Sequence, residues 1–328
     1  MTPRRWSRLV RPVVACAAAC LAMGLAGAAL AEPVAVIAAV KGKVEWTSAR
    51  RGPPQKAQFG RPLERGDRVT VAPGGSATLF FNDGNVIELA GGSSIKVGGQ
   101  VDKRSAAGPA IPGEVYASVQ RFVAGGSRET GLVALSELRG PAEQSTPVIV
   151  SPRKTALMTD RPTFTWRAVP GAERYKVTLS SADKGEMWSR TVREVSLAFP
   201  ADAAALAPNA EYLWEVEAWS AQDRSLRSES SVFQIIGPEQ ASTVRANLDR
   251  ISESAGGLES PAARFLAGSY LTGLGLYHDA AGHFGALCKI EPNSPGAHEA
   301  LGTVYSKVGL MDLAAAEYQQ ALALTREP

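Results

Sequence analysis

The fold of the C-terminal third is decided by two stretches that start 34 residues apart. They are Pro261-Ala262-Ala263-Arg264-Phe265-Leu266-Ala267-Gly268-Ser269-Tyr270 and Pro295-Gly296-Ala297-His298-Glu299-Ala300-Leu301-Gly302-Thr303-Val304. Gly268, Ala280, Phe284 and Leu287 recur at the same spacing as Gly302, Ala314, Tyr318 and Ala321. A fixed period near 34 is the mark of stacked helix-turn-helix pairs, with small and aromatic residues at set offsets. The small residues let the two helices of a pair approach closely, and the aromatics fill the seam. Segments 262–277, 279–290, 295–308 and 311–325 are the four expected helices. The stretch 241–254 is a further amphipathic one, with Val244, Leu248 and Ile251 at helical spacing.

These residues resemble tetratricopeptide repeats. The pattern is met at Gly268, Ala280, Phe284 and Pro292, then at Leu301, Gly302, Tyr305, Ala314, Tyr318 and Ala321. Arg264 and His298 stand at the family's early tryptophan site, and the second repeat lacks the closing proline. The resemblance implies a groove lined by the first helix of each pair. On that basis Arg264, Tyr270, Thr303, Tyr305 and Lys307 are the expected partner-binding residues. Two repeats are fewer than a stable stack needs. Either 241–258 supplies an extra helix, or the preceding module or a second copy of the chain covers the open end.

Working outward, residues 148–236 alternate with period two in five short runs, from Thr163-Phe164-Thr165-Trp166 to Ser231-Val232-Phe233-Gln234-Ile235. Leu206-Ala207-Pro208-Asn209-Ala210-Glu211-Tyr212 resembles the tyrosine corner of fibronectin type III modules, with Leu206, Pro208 and Tyr212 as its marks. The resemblance implies an immunoglobulin-like sandwich, with Trp166 and Tyr175 in its core.

Residues 34–99 carry short β-prone runs divided by Gly, Asn, Asp and Pro turns, with Asp83-Gly84 as the strongest hairpin signal. The ordered elements Val40-Lys41-Gly42-Lys43-Val44, Gly60-Arg61-Pro62-Leu63-Glu64-Arg65-Gly66-Asp67-Arg68-Val69, Gly74-Gly75-Ser76-Ala77-Thr78-Leu79-Phe80-Phe81, Asn82-Asp83-Gly84-Asn85-Val86-Ile87-Glu88-Leu89 and Ser94-Ile95-Lys96-Val97 resemble the FecR domain family. Residues 112–140 look like a loose form of its closing segment, which extends the module to 34–140. Residues 100–113 read as a loop and 140–147 as a linker. The expected class is thus multidomain β + α: a FecR-like β domain, an immunoglobulin/fibronectin III-like sandwich (148–236) and helical hairpins (240–328).

The chain begins with four arginines and no acid ahead of an apolar run from about Val13, ending Ala29-Leu30-Ala31. That is the pattern of a secretory signal peptide over residues 1–31, with small residues at −3 and −1 of a cut after Ala31. Four arginines and no acid would leave with it, so the formal +3 of the whole chain becomes −1. No basic footprint for nucleic acid remains. The expected location is the periplasm, with no membrane span in the mature chain. An uncleaved segment would instead favour a FecR-type signal relay, although only about a dozen residues precede the apolar run.

Catalytic and metal signals are thin. The three histidines are His278, His283 and His298, and the first two stand five apart, a poor spacing for zinc on a helix. Cys288, left alone once Cys16 and Cys20 depart, follows His283 by five residues, again a poor spacing for a catalytic pair. The Gly-rich turns carry no phosphate-loop lysine. No cofactor and no metal are expected, and the chain reads as a non-enzymatic scaffold that holds an envelope protein or peptide. The alternative is a carbohydrate- or peptidoglycan-binding protein, with Trp188 and Trp219 as the surface aromatics.

Overall fold

The computed structural model describes residues 32–50, 52–98, 109–125 and 146–326. The expected signal peptide, its Ala29 and Ala31 cleavage residues, and most of the loop, closing segment and linker lie outside these.

The first module is built from two antiparallel four-stranded sheets. β1 (Ala35–Lys41), β4 (Pro62–Leu63), β6 (Ser76–Phe81) and β7 (Val86–Ala90) pair in the order β4-β1-β6-β7. β2 (Val44–Thr47), β3 (Gln55–Lys56), β5 (Arg68–Val71) and β8 (Ser94–Lys96) pair as β3-β2-β5-β8. Ala35, Ile37, Leu79 and Phe81 point one way and bury against Val44, Trp46, Val69 and Val71 of the other sheet. Because side chains alternate along a strand, Val36, Ala38, Phe80 and Val86 face the opposite way. They are buried too, in the same core as the helices. The first sheet is therefore covered on both faces. At the β6–β7 hairpin Gly84 has φ +86°, and a Cβ there would lie 2.2 Å from the Ile111 carbonyl oxygen.

α1 (Gly113–Ala124) is a helix that sequence analysis did not assign. Its Val115, Tyr116 and Val119 are buried. The Tyr116 hydroxyl and the Gln120 amide both donate to the Pro33 carbonyl at 3.0 Å, tying the helix to the start of the first sheet.

The second module is a sandwich. β9 (Ile149–Ser151), β11 (Thr163–Trp166) and β14 (Ser196–Ala198) form a three-stranded sheet in the order β14-β11-β9. Opposite lie β10 (Thr155–Leu157), β12 (Ala172–Ser181), β13 (Gly185–Val192), β15 (Glu211–Ser220) and β17 (Ser231–Ile235), in the order β10-β17-β15-β12-β13, with β16 (Ser225–Arg227) on β15. Alternate residues Tyr212, Trp214, Val216 and Ala218 of β15 enter the core with Phe164, Trp166, Tyr175, Val177 and Phe233. The Ala207 N–H donates to the Tyr212 hydroxyl at 2.7 Å, and that hydroxyl donates back to the Ala207 carbonyl at 3.4 Å, closing the corner.

Five helices follow: α2 (Pro238–Ser254), α3 (Pro261–Gly273), α4 (Tyr277–Ile290), α5 (Pro295–Lys307) and α6 (Met311–Arg326). Proline opens α3 and α5 at a position where its missing N–H costs nothing. The α3–α4 and α5–α6 turns each contain a glycine at positive φ, Gly275 at +75° and Gly309 at +77°. A Cβ on Gly268 would lie 2.7 Å from the Phe284 ring, and one on Gly302 3.0 Å from the Tyr318 ring, so both pairs close over glycine.

The hairpins do not stand free. Phe122 of α1 stacks on Phe284 at 5.2 Å and meets Phe265 edge-on at 6.4 Å, while Phe59 of the first module reaches Phe265 at 6.1 Å. One continuous core joins the outer face of the first sheet, α1, α2 and the first hairpin. The open end of the helical pairs is thus covered by the chain's own sheet and α1, with α2 beside them.

Candidate functional site

The sandwich meets the helices through the turns of both hairpins. The Ala156 N–H donates to the Gly275 carbonyl at 2.9 Å, and the Thr155 hydroxyl approaches the same oxygen at 3.2 Å. Arg153 Nε donates to the Val308 carbonyl at 2.8 Å, and Arg167 pairs with Asp312. Between these anchor points lies a cleft of about 660 Å³, walled on one side by the β9–β11 region and on the other by α3, α4 and α5.

Its walls mix apolar and polar groups. Val150, Met158, Val304 and Tyr277 supply the apolar part. Ser151 Oγ lies 2.7 Å from His278 Nδ1, and the His278 backbone N–H donates to Thr155 Oγ1 at 3.2 Å. Deeper in, Arg264 Nε, Asp279 Oδ2 and His283 Nδ1 are buried with no hydrogen-bond partner among the described residues. Burial pushes the Asp279 carboxyl up, opposed by the nearby His278. Burial, reinforced by the Arg264 charge, lowers the His283 imidazole to about 4, so it is neutral near pH 7. Each unpartnered buried polar atom costs on the order of 1–3 kcal/mol, a cost that a bound molecule or water would relieve. A concave apolar site with a few convergent polar groups is the usual form of a binding pocket.

Of the five residues expected in a groove, Arg264 and Tyr305 line this cleft. Tyr270 does not: it is 3% exposed, and its hydroxyl accepts from Asn247 Nδ2 at 2.8 Å. Thr303 is also core. Its hydroxyl donates to the Glu299 carbonyl at 2.8 Å and accepts from Tyr318 at 3.3 Å. Lys307 is exposed and outside the cleft walls. The two tryptophans expected at the surface also part company. Trp188 sits edge-on between Phe164 (5.7 Å) and Phe199 (5.9 Å), with its indole N–H buried, so it is a core-edge residue and no platform. Trp219 is half-buried, and the Arg174 guanidinium covers it at 5.1 Å.

Sequence reasoning missed the two convergences that the fold creates. His278 and His283 line one cleft together with Ser151, which is 127 positions from His278. His298, by contrast, meets Cys288 and Glu317, with one ligand-type atom from each within 4.8 Å of the others. The 34-residue period held a signal for the second grouping, because His298 and Glu317 are the counterparts of Arg264 and His283.

The comparisons bear on the sandwich. Residues 150–236 match the family model described as the Rha78A-like, N-terminal immunoglobulin domain. This segment is an immunoglobulin-like domain. Solved structures similar to part of this chain include a Fn3-like protein from Clostridium thermocellum, at 19% identity over 28% of this chain and 97% of that one, with TM-score 0.21. The fn3 domain of human collagen alpha-1(XX) chain matches at 21% identity over 30% of this chain and 94% of that one, with TM-score 0.23. An alpha-L-rhamnosidase from Dictyoglumus thermophilum matches at 16% identity over 30% of this chain, with TM-score 0.24, and this chain covers 14% of it. A search of curated proteins finds no match. Among the described residues, no helix is long and apolar enough to cross a membrane.

Proposed function

We propose that this chain is a non-enzymatic binding protein of the bacterial periplasm. In this reading a FecR-like module and a pair of tetratricopeptide-type hairpins flank the immunoglobulin-like sandwich, and a polypeptide segment of an envelope partner is held in the cleft between sandwich and hairpins. The FecR-like assignment is supported by the order of turn and strand motifs over residues 40–89, and the repeat assignment by the 34-residue period with glycine packed under an aromatic ring.

The single observation that carries the binding reading is the set of buried, unpartnered polar atoms on Arg264, Asp279 and His283 in a cleft with apolar walls. An extended peptide offers both N–H and C=O groups to such atoms and apolar side chains to the walls. The Ser151–His278 contact is read as a clamp rather than a catalytic pair. It belongs to the same seam as the Thr155 and Arg153 bonds to the hairpin turns.

The test is site-directed photocrosslinking in the native envelope, with a photoreactive residue at Met158. A discrete protein adduct that Arg264→Glu abolishes, and Lys307→Glu does not, is the expected result. No adduct, together with co-sedimentation of the intact protein with purified peptidoglycan, would overturn the peptide reading in favour of a glycan. Substrate turnover lost on Ser151→Ala would overturn the non-enzymatic one.

A further inference from the structure

We infer that Cys288, His298 and Glu317 form a zinc-binding site between the two hairpins. The three come from α4, α5 and α6, and one ligand-type atom of each lies within 4.8 Å of the other two. All three side chains are partly buried, His298 at 13% and Glu317 at 25% side-chain exposure.

The setting of the His298 ring is what lifts this cluster above coincidence. Its Nε2 lies 3.1 Å from the Pro292 carbonyl oxygen, which can only accept, so Nε2 carries the hydrogen. In a neutral ring that leaves Nδ1 as a bare lone pair. Yet Nδ1 lies 2.6 Å from Glu317 Oε2, a carboxylate oxygen that is itself an acceptor. At 2.6 Å the two share a proton; ligands of one tetrahedral zinc, bound at about 2.0–2.2 Å, stand roughly 3.3 Å apart, so a metal would displace that proton and open the pair by under about 1 Å. A proton needs nothing from Cys288; a thiophilic metal does. A ligating histidine that donates its other ring N–H to a backbone carbonyl is also the usual outer-shell arrangement of metal sites.

The donor set selects the ion. Thiolate, imidazole and carboxylate together suit zinc and disfavour calcium or magnesium, which take oxygen ligands. Three protein ligands leave a fourth tetrahedral position for water. In the metal-free protein, burial and the Glu317 charge push the Cys288 thiol up to about 12, so the thiol keeps its proton. Burial raises the neighbouring Tyr305 hydroxyl, and the same carboxylate and Cys288 reinforce that shift. Zinc replaces the thiol proton, which is released to solvent along with the Nδ1 proton where present, and its two positive charges cancel the repulsion between thiolate and carboxylate. The site also has a structural rationale: the core special to the second hairpin is small, Ala314 and Tyr318 with Tyr305 and Met311 against them. A metal link from α4 to α5 and α6 would tie that hairpin to the first.

The experiment is a Co²⁺ titration of the full chain after chelator treatment. The expected result is a thiolate-to-cobalt charge-transfer band and four-coordinate d–d absorption that saturate at one ion per chain and vanish on adding Zn²⁺. The charge-transfer band disappears in Cys288→Ala and in His298→Ala, and survives in Cys16→Ala/Cys20→Ala. Glu317→Gln, nearly isosteric, weakens binding about tenfold or more. A second readout guards against misfolded variants: Zn²⁺ raises the melting temperature of the wild type and leaves that of Cys288→Ser unchanged. The inference is overturned if the wild type gives no charge-transfer band, if the band persists in Cys288→Ala, or if Zn²⁺ shifts wild type and Cys288→Ser equally. A His298 proton resonance that titrates identically with and without Zn²⁺ would also overturn it, leaving a proton as the bridging cation.

Discussion

At the scale of single residues, Gly268 and His283 show how one position sets a local energy. Gly268 lies directly under the Phe284 ring. Gly268→Ala forces that ring to move in a packed core and is expected to cost about 1–3 kcal/mol. Gly285 sits on the same hairpin, and a Cβ there would meet nothing within 4 Å. Gly285→Ala should therefore gain about 0.5–1 kcal/mol through helix propensity. Urea denaturation of the two variants checks the opposite signs. His283 has its folded value lowered to about 4 from 6.5. The unfolded chain therefore takes up a proton first as pH falls, and stability drops between pH 6.5 and 4, by up to roughly 3 kcal/mol. Asp279 acts oppositely: its value is raised, so the penalty on its buried charge lifts as pH falls through its folded value. Denaturation midpoints from about pH 7 to 4 should fall less steeply in His283→Leu than in the wild type. Parallel curves would mean that His283 is not held neutral by the cleft.

At the scale of elements, α1 is the piece on which the helical layer leans. Phe122 stacks on Phe284 and touches Phe265, so it bridges two helices of the first hairpin. Phe122→Ala removes a half-buried ring and should cost roughly 2 kcal/mol. The diagnostic readout is amide exchange: protection should fall in α3 and α4 as well as in α1. A loss confined to α1 would show that the contact is peripheral. The helices of the hairpins were legible in the sequence because glycine, alanine and aromatic residues repeat at a fixed offset, and β15 because Tyr212, Trp214, Val216 and Ala218 alternate cleanly with exposed or half-exposed neighbours. β13 was not legible. It is an edge strand whose residues are exposed or half-exposed throughout, and its core-side contacts through Met187, Trp188 and Val192 do not alternate cleanly. α1 was missed because Val115, Val119 and Phe122 have the spacing of a helix but follow a Gly-, Ala- and Pro-rich loop at the end of a β module. The cleft was illegible for a different reason. Ser151 and His278 are brought together by docking of two modules, which no local pattern encodes.

At the scale of the whole molecule, the described residues from Pro33 onward form one compact unit. Val36, Phe80, Val119, Phe265 and Phe284 belong to a single core drawn from both ends of the chain. Residues 238–326 expressed alone would leave Phe265, Phe284 and Leu266 without their covering sheet and α1. That fragment should melt broadly and at lower temperature than the full chain, which should unfold in one transition by calorimetry. A fragment as cooperative as the parent would show that the hairpins are self-sufficient.

The sheet covered on both faces has a consequence for biogenesis. Its strands leave the ribosome, and cross any export channel, with α1 close behind to set Tyr116 against Phe80, but well ahead of α2 and α3, which share that core with Val36, Ala38, Phe80 and Val86. In that interval the newborn N-terminal half carries a sticky, only partly covered apolar face of the kind that invites association between chains. A holding factor, or delayed collapse of the early strands, would shield the rest of that face until the last third of the polypeptide has arrived.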